Sequence, residues 1–147
     1  MPKLRGCGAT YDPAVALEPG ISRTDEFVVE GLLLTDVGGT IGLSVLSTPG
    51  MIAMIERNAA LLSYEHLPDG KATVGFEVCV KHVAGAVEGA RCTASALLRE
   101  VVDGRKLRFD VEVKEGDRTV GVGTHERRVI DVAAHAGAPG AQPGASN

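Results

Sequence analysis

The sequence holds no tryptophan, and its three phenylalanines and two tyrosines leave it only 3% aromatic. A core must therefore be assembled from Val, Leu, Ile and Ala, a composition whose β-branched share favours sheet. A stretch of the ~18 uninterrupted apolar residues needed for a membrane span is also missing. The opening MPKLRGCGATYDP lacks the apolar centre of a signal peptide, so a cytoplasmic protein is expected. Basic runs are absent too. Fifteen Lys and Arg stand against nineteen Asp and Glu, for a net charge of -4, which excludes the basic stripe that tracks a phosphate backbone. Neither nucleic acid nor membrane is an expected partner. Cysteine is scarce: Cys7, Cys79 and Cys92 fall at no metal-ligand spacing and read as free thiols, two of them buried. Nothing in the sequence calls for a metal or a cofactor.

What is present is enough for one domain. A chain of 147 residues buries most of the surface it would expose unfolded. Residues 1–20, punctuated by Pro2, Gly6, Gly8, Pro13, Pro19 and Gly20, read as an irregular lead-in. Residues 133–147 are small residues, Pro and Gly without apolar period and read as a disordered tail. Between them, residues 21–132 form a single unit. ISRTDEFVV has strand character, and a Gly-broken connection follows. Ser47 and Thr48 are cap-type residues, Pro49 suits a first turn, and Met51, Ile52, Ile55, Ala59 and Leu62 recur at helical spacing up to about His66. Val74, Phe76, Val78 and Val80 then alternate, and turns at Asp103-Gly104 and Glu115-Gly116-Asp117 divide the remainder into an antiparallel meander. Strand, helix and about four long strands form an α+β order, and a sheet wrapped around one central helix buries both.

Several residues break their local pattern. Glu56 has only Ile52, Ala53, Ala59 and Ala60 at three and four residues to either side, so its carboxylate projects from an apolar stripe without a local partner. A stripe-edge glutamate reaching water is the plainer reading. His82 shares the parity of Val74 through Val80, which puts its imidazole on the apolar face of the strand; a hydrogen-bonded rim histidine is the plainer reading there. Thr48 is explained as a helix cap or, alternatively, as a hydroxyl facing substrate at the open end of the helix, where free N–H groups also stabilise an oxyanion. Gly75 weakens a strand and marks either a bulge or a close approach. Arg127, beside His125 and Glu126, fits a solvated edge strand as well as a site.

From about Leu46 to Val132 the chain resembles the fluoroacetyl-CoA thioesterases of the hot-dog superfamily. The resemblance rests on STPGMIAMIERNA, with Thr48 eight residues before Glu56, on GFEVCVKH, with Gly75 seven before His82, and on GTHERRVI from Gly123 to Ile130. It implies a hot-dog fold, hydrolysis of an acyl-CoA thioester, and a catalytic group of Thr48, Glu56 and His82, with Gly75 and Arg127 at the substrate. The family's aromatic lid residue falls on Gly42, which implies a different or broader acyl substrate. A homodimer, with dimers possible as pairs, is the expected assembly. Eight helical residues span about 12 Å, so either the helix starts after Thr48 or the site is shared across a dimer. A noncatalytic acyl-CoA-binding protein and an acyl hydratase or dehydratase remain as alternatives.

Overall fold

The computed structural model describes residues 16–135. Cys7, most of the lead-in and the tail beyond His135 lie outside the described residues. Seven strands and two helices follow in the order β1 (Ser22–Val28), β2 (Leu34–Thr35), β3 (Val45–Leu46), α1 (Thr48–Tyr64), β4 (Lys71–His82), β5 (Arg91–Val102), β6 (Lys106–Glu115), β7 (Arg118–Asp131) and α2 (Val132–His135), with a 3-10 turn at Gly31–Leu33 before β2. The five long strands form an antiparallel sheet ordered β1-β5-β6-β7-β4, and β2 pairs with β3. The short helix α2 covers Val132–His135, so the start of the segment read as tail is ordered.

Helix α1 lies on one face of this sheet because its apolar positions recur on one side. Met51, Ile55, Ala59 and Leu62 are buried there, against Leu98, Leu107, Phe109, Val113 and Val120 of the strands. Each of these side chains other than that of Ala59 contributes on the order of 1.5 to 3 kcal/mol by leaving water. Ile52, expected in the stripe, is only half-buried. Two glycines permit the close approach. A Cβ at Gly121 would meet Met51 Sδ at 2.4 Å, and one at Gly50 would meet the Leu33 carbonyl at 2.8 Å.

Two expectations are corrected. Strand β4 does not alternate evenly, because its register with β7 shifts between Gly75 and Glu77. Phe76, at that bulge, is thereby turned out of the apolar set and is 62% exposed, with the Arg128 guanidinium over its ring. Strand β7 is no solvated edge: it runs between β6 and β4. Of the two described cysteines, both free, Cys92 is buried but Cys79 is exposed.

Candidate active site

Ser47, not Thr48, caps α1: its Oγ accepts the Gly50 N–H at 2.9 Å, and Thr48 is the first helical residue. The Thr48 hydroxyl is thereby left for another partner. It lies 2.9 Å from Nδ1 of His82, the last residue of β4. The other ring nitrogen, Nε2, is buried with no hydrogen-bond partner, and an unpaired buried polar atom costs about 1 to 3 kcal/mol. Beside this pair lies a cavity of about 360 Å³, walled among others by Thr35, Val37, Val45, Leu46, Val83 and Ala84. Gly42 sits in the same β2–β3 connection at φ +70°. It does not line the cavity, and a Cβ built there meets nothing within 4 Å. Val37, on the other limb of that connection, does line it, at φ 53°, a strained backbone for a β-branched residue.

The second group gathers two turns further along α1. Glu56 Oε2 lies 3.4 Å from Nη1 of Arg127, whose side chain is only 6% exposed. Arg127 donates from Nε to Thr73 Oγ1 at 2.7 Å, from Nη2 to the Thr73 carbonyl at 3.0 Å, and from Nη1 to His125 Nε2 at 3.1 Å. Gly75 is opposite Arg127 in the β4–β7 ladder. A Cβ there would fall 2.2 Å from Glu56 Oε2, so the carboxylate occupies the space that any other residue would fill. Glu56 thus combines both readings made of it: the side chain is at the stripe edge, 42% exposed in the single chain, and it has a buried cationic partner.

His125 belongs to this group and was not singled out from the sequence. It is buried, and its Nδ1 lies 2.7 Å from the Glu77 carbonyl. A carbonyl only accepts, so Nδ1 carries the proton and Nε2 accepts from Arg127. Burial, foremost, holds the imidazole pKa below its ordinary value; the bond to the Glu77 carbonyl opposes this and the Arg127 charge adds to it. Burial also lowers the Arg127 pKa, against the charge of Glu56, which raises it. The His125 shift fixes the sign of a pH effect. A depressed folded value means that the unfolded chain takes the proton first, so stability is full above about pH 6.5 and is lost as pH falls below it towards the folded value. The melting temperature should therefore drop between about pH 7.5 and pH 5.5, and His125→Gln, which can keep both hydrogen bonds, should drop less. Equal drops in the two proteins would assign the effect to other groups.

Within one chain these groups stay apart. Because α1 already begins at Thr48, the eight residues to Glu56 separate the two along the axis by about 12 Å. A larger concavity, of about 650 Å³, lies against Ser22, Ser95, Asp110 and Thr124 and contains none of the groups just described.

The family of fluoroacetyl-CoA-specific thioesterases matches residues 30–133, a span holding both groups. The chain belongs to this family. A curated relative, the fluoroacetyl-CoA thioesterase of Streptantibioticus cattleyicolor, is 35% identical over 86 residues, which span 58% of this chain and 61% of the relative. A solved structure of the fluoroacetyl-CoA thioesterase FlK superposes with a TM-score of 0.73 at 28% identity, covering 82% of this chain and 93% of that one. A variant of that enzyme, in complex with fluoroacetate and CoA, gives 0.71 at 28%, covering 79% and 97%. A hot-dog-like protein from Thermanaerovibrio acidaminovorans gives 0.70 at 21%, covering 80% and 86%, a likeness of fold. The hot-dog fold follows from these neighbours and from the single long helix on its antiparallel sheet. Among the described residues, no helix is long and apolar enough to cross a membrane.

Proposed function

We propose that this protein is a cytosolic acyl-CoA thioesterase, working as a homodimer in which Thr48 and His82 of one protomer face Glu56 of the other. One observation carries the reading: a chain of the thioesterase family keeps a glutamate carboxylate on the bare Cα of Gly75, beside a buried arginine. A noncatalytic acyl-CoA-binding protein has no use for that arrangement. In the reaction, oxygen adds to the thioester carbonyl, the C–S bond breaks, and free acid and CoA thiol leave. Glu56 either takes the proton from the attacking water or attacks the carbonyl itself, forming an anhydride that water then opens. Arg127, with four of its donor contacts directed to Thr73, His125 and Glu56, fixes the carboxylate. The Thr48 hydroxyl and its backbone N–H, which none of the described hydrogen bonds uses, are the donors for the carbonyl oxygen. His82 Nε2 gains in the complex the partner that it lacks in the single chain.

The cavity beside Thr48 supports a reading of the acyl group. Its walls include Val37, Val45, Leu46 and Val83, and they are apolar. An apolar acyl chain longer than two carbons fits there better than fluoroacetyl. A thiol-release assay over acetyl, fluoroacetyl, branched and longer acyl-CoAs tests this, with turnover expected on the longer apolar chains; no turnover on any of them would leave only binding. The shared site has its own test. In a mixed dimer of a Glu56→Gln chain and a His82→Ala chain, isolated through two different tags, one of two symmetric sites is intact, so about half the wild-type rate is expected. A site contained in one chain would instead leave the mixed dimer as inactive as its parents.

A further inference from the structure

His125 is 1% exposed, and the chemistry above gives it no task. Its surroundings suit a neutral ring. It faces the Arg127 guanidinium on its own strand, the Glu56 carboxylate on α1, the Glu77 carbonyl on β4 and the ring of Phe109 on β6, 6.2 Å away between centroids. Glu126, the residue between His125 and Arg127, is bonded instead to Arg108 and Arg128. Because Nδ1 donates to the Glu77 carbonyl, a second proton has only Nε2 to go to, and Nε2 is the atom that accepts from Arg127. Arg127 depends on that acceptor. Its Nε and Nη2 are taken by Thr73. Nη1 carries two hydrogens and has two acceptors in reach, His125 Nε2 at 3.1 Å and Glu56 Oε2 at 3.4 Å. A guanidinium is planar with its donors in a fixed fork, so holding one Nη1 hydrogen on His125 sets the direction of the other.

We infer that His125 is a positioning residue: its neutral imidazole holds back one Nη1 hydrogen of Arg127, so that the arginine meets the Glu56 carboxylate through a single long contact, and protonation at Nε2 ends that hold. The inference rests on the thioesterase reading above and adds to it how Arg127 is kept in place. A carboxylate that receives both hydrogens is more stabilised as an anion and is a weaker base or nucleophile. His125 takes the second hydrogen away. Without its lone pair a buried N–H is left unpaired, which is costly, and the acceptor already beside it is Glu56. Arg127 then closes on the carboxylate. A proton on Nε2 has the same result, because two cations then face each other and the arginine is driven from the ring. Burial, foremost, disfavours that proton, so the hold is complete above the ordinary histidine value of about pH 6.5 and is lost as pH falls below it towards the folded value.

Two substitutions test it. His125→Phe fills the space without an acceptor and should lower kcat about 10-fold or more with KM within a few-fold, since the residue acts through Arg127. His125→Gln has an Oε1 that accepts from Arg127 and takes no proton, so its kcat should stay within about 3-fold of wild type at about pH 8. The ratio of wild-type to His125→Gln turnover cancels what His82 and Glu56 titrate in both proteins. It should be flat above about pH 6.5 and fall by about 3-fold or more near pH 5, at a temperature where circular dichroism shows both proteins folded. A ratio that is flat throughout overturns the inference, and so does a folded His125→Phe with wild-type kcat; if His125→Phe does not fold, the ratio decides alone. The side-chain N–H resonances of Arg127 give a readout that needs no turnover: on acidification they should broaden in wild type and persist in His125→Gln. That difference without thioester turnover refutes the enzyme and leaves the inference standing, whereas turnover with resonances that behave alike in the two proteins does the reverse.

Discussion

Glu56→Gln should lower kcat on a good acyl-CoA substrate by about 10² to 10⁴-fold while leaving KM within a few-fold, the size of effect expected when a positioned base or nucleophile is removed. Glutamine keeps the volume of the side chain and its Oε1 can still accept from Arg127, so the group stays assembled. The cost in stability should be small. The Glu56 carboxylate is 42% exposed in the single chain, and ion pairs open to solvent contribute about 0 to 1 kcal/mol. Steady-state kinetics and a thermal melt together decide the matter: a folded variant with wild-type kcat would remove Glu56 from the chemistry, and a variant that melts far lower would make Glu56 a structural partner of Arg127.

Gly75→Ala should be nearly as damaging, through a different cause. The added methyl group would lie 2.2 Å from Glu56 Oε2, a separation that atoms do not tolerate. The carboxylate is the end of a flexible side chain, so it moves and the strand does not. Alanine in a strand regains about 0.5 to 1 kcal/mol relative to glycine, which offsets much of the strain. The chemistry has no such compensation. Displacing a reacting group by about 1 Å costs on the order of 10²-fold, so kcat should fall by about that factor with the melting temperature almost unchanged. If kcat stays within a few-fold, the carboxylate works from a position other than the one against Gly75. If instead the protein unfolds, the glycine serves backbone packing.

Much of this was legible in the sequence because the relevant signals are local. The helix declared itself through cap residues and the spacing of Met51, Ile55, Ala59 and Leu62, and the meander through its two glycine turns. Glu56 stood out because every helical neighbour is apolar. What escaped depended on pairing between distant segments. Arg127 and His125 fit a solvated edge strand as well as a site, since a sequence does not say that β7 lies between two others. Their parity with Gly121, Gly123 and Val129 was the available sign that they face the helix. Thr48 was ambiguous because Ser47 is an equally good cap, and the bond from Gly50 N–H to Ser47 Oγ, with His82 beside the Thr48 hydroxyl, decides between them. Gly42 was identified through a gap in the resemblance; its φ of +70° makes a side chain there costly, which no count of residues reveals.

The bulge in β4 leaves a numerical trace. Residues on one face of an even strand differ by even numbers, yet Gly75 and His82 are seven apart and both turn towards α1. An odd interval of this kind arises only where the strand holds one residue too many, and Phe76 is that residue. The spacing therefore encodes a phase change: everything before Phe76 is counted in one parity and everything after it in the other. A deletion of any single residue between Gly75 and His82 would put the two out of step, turning one of them to the far side of the sheet although neither had been altered.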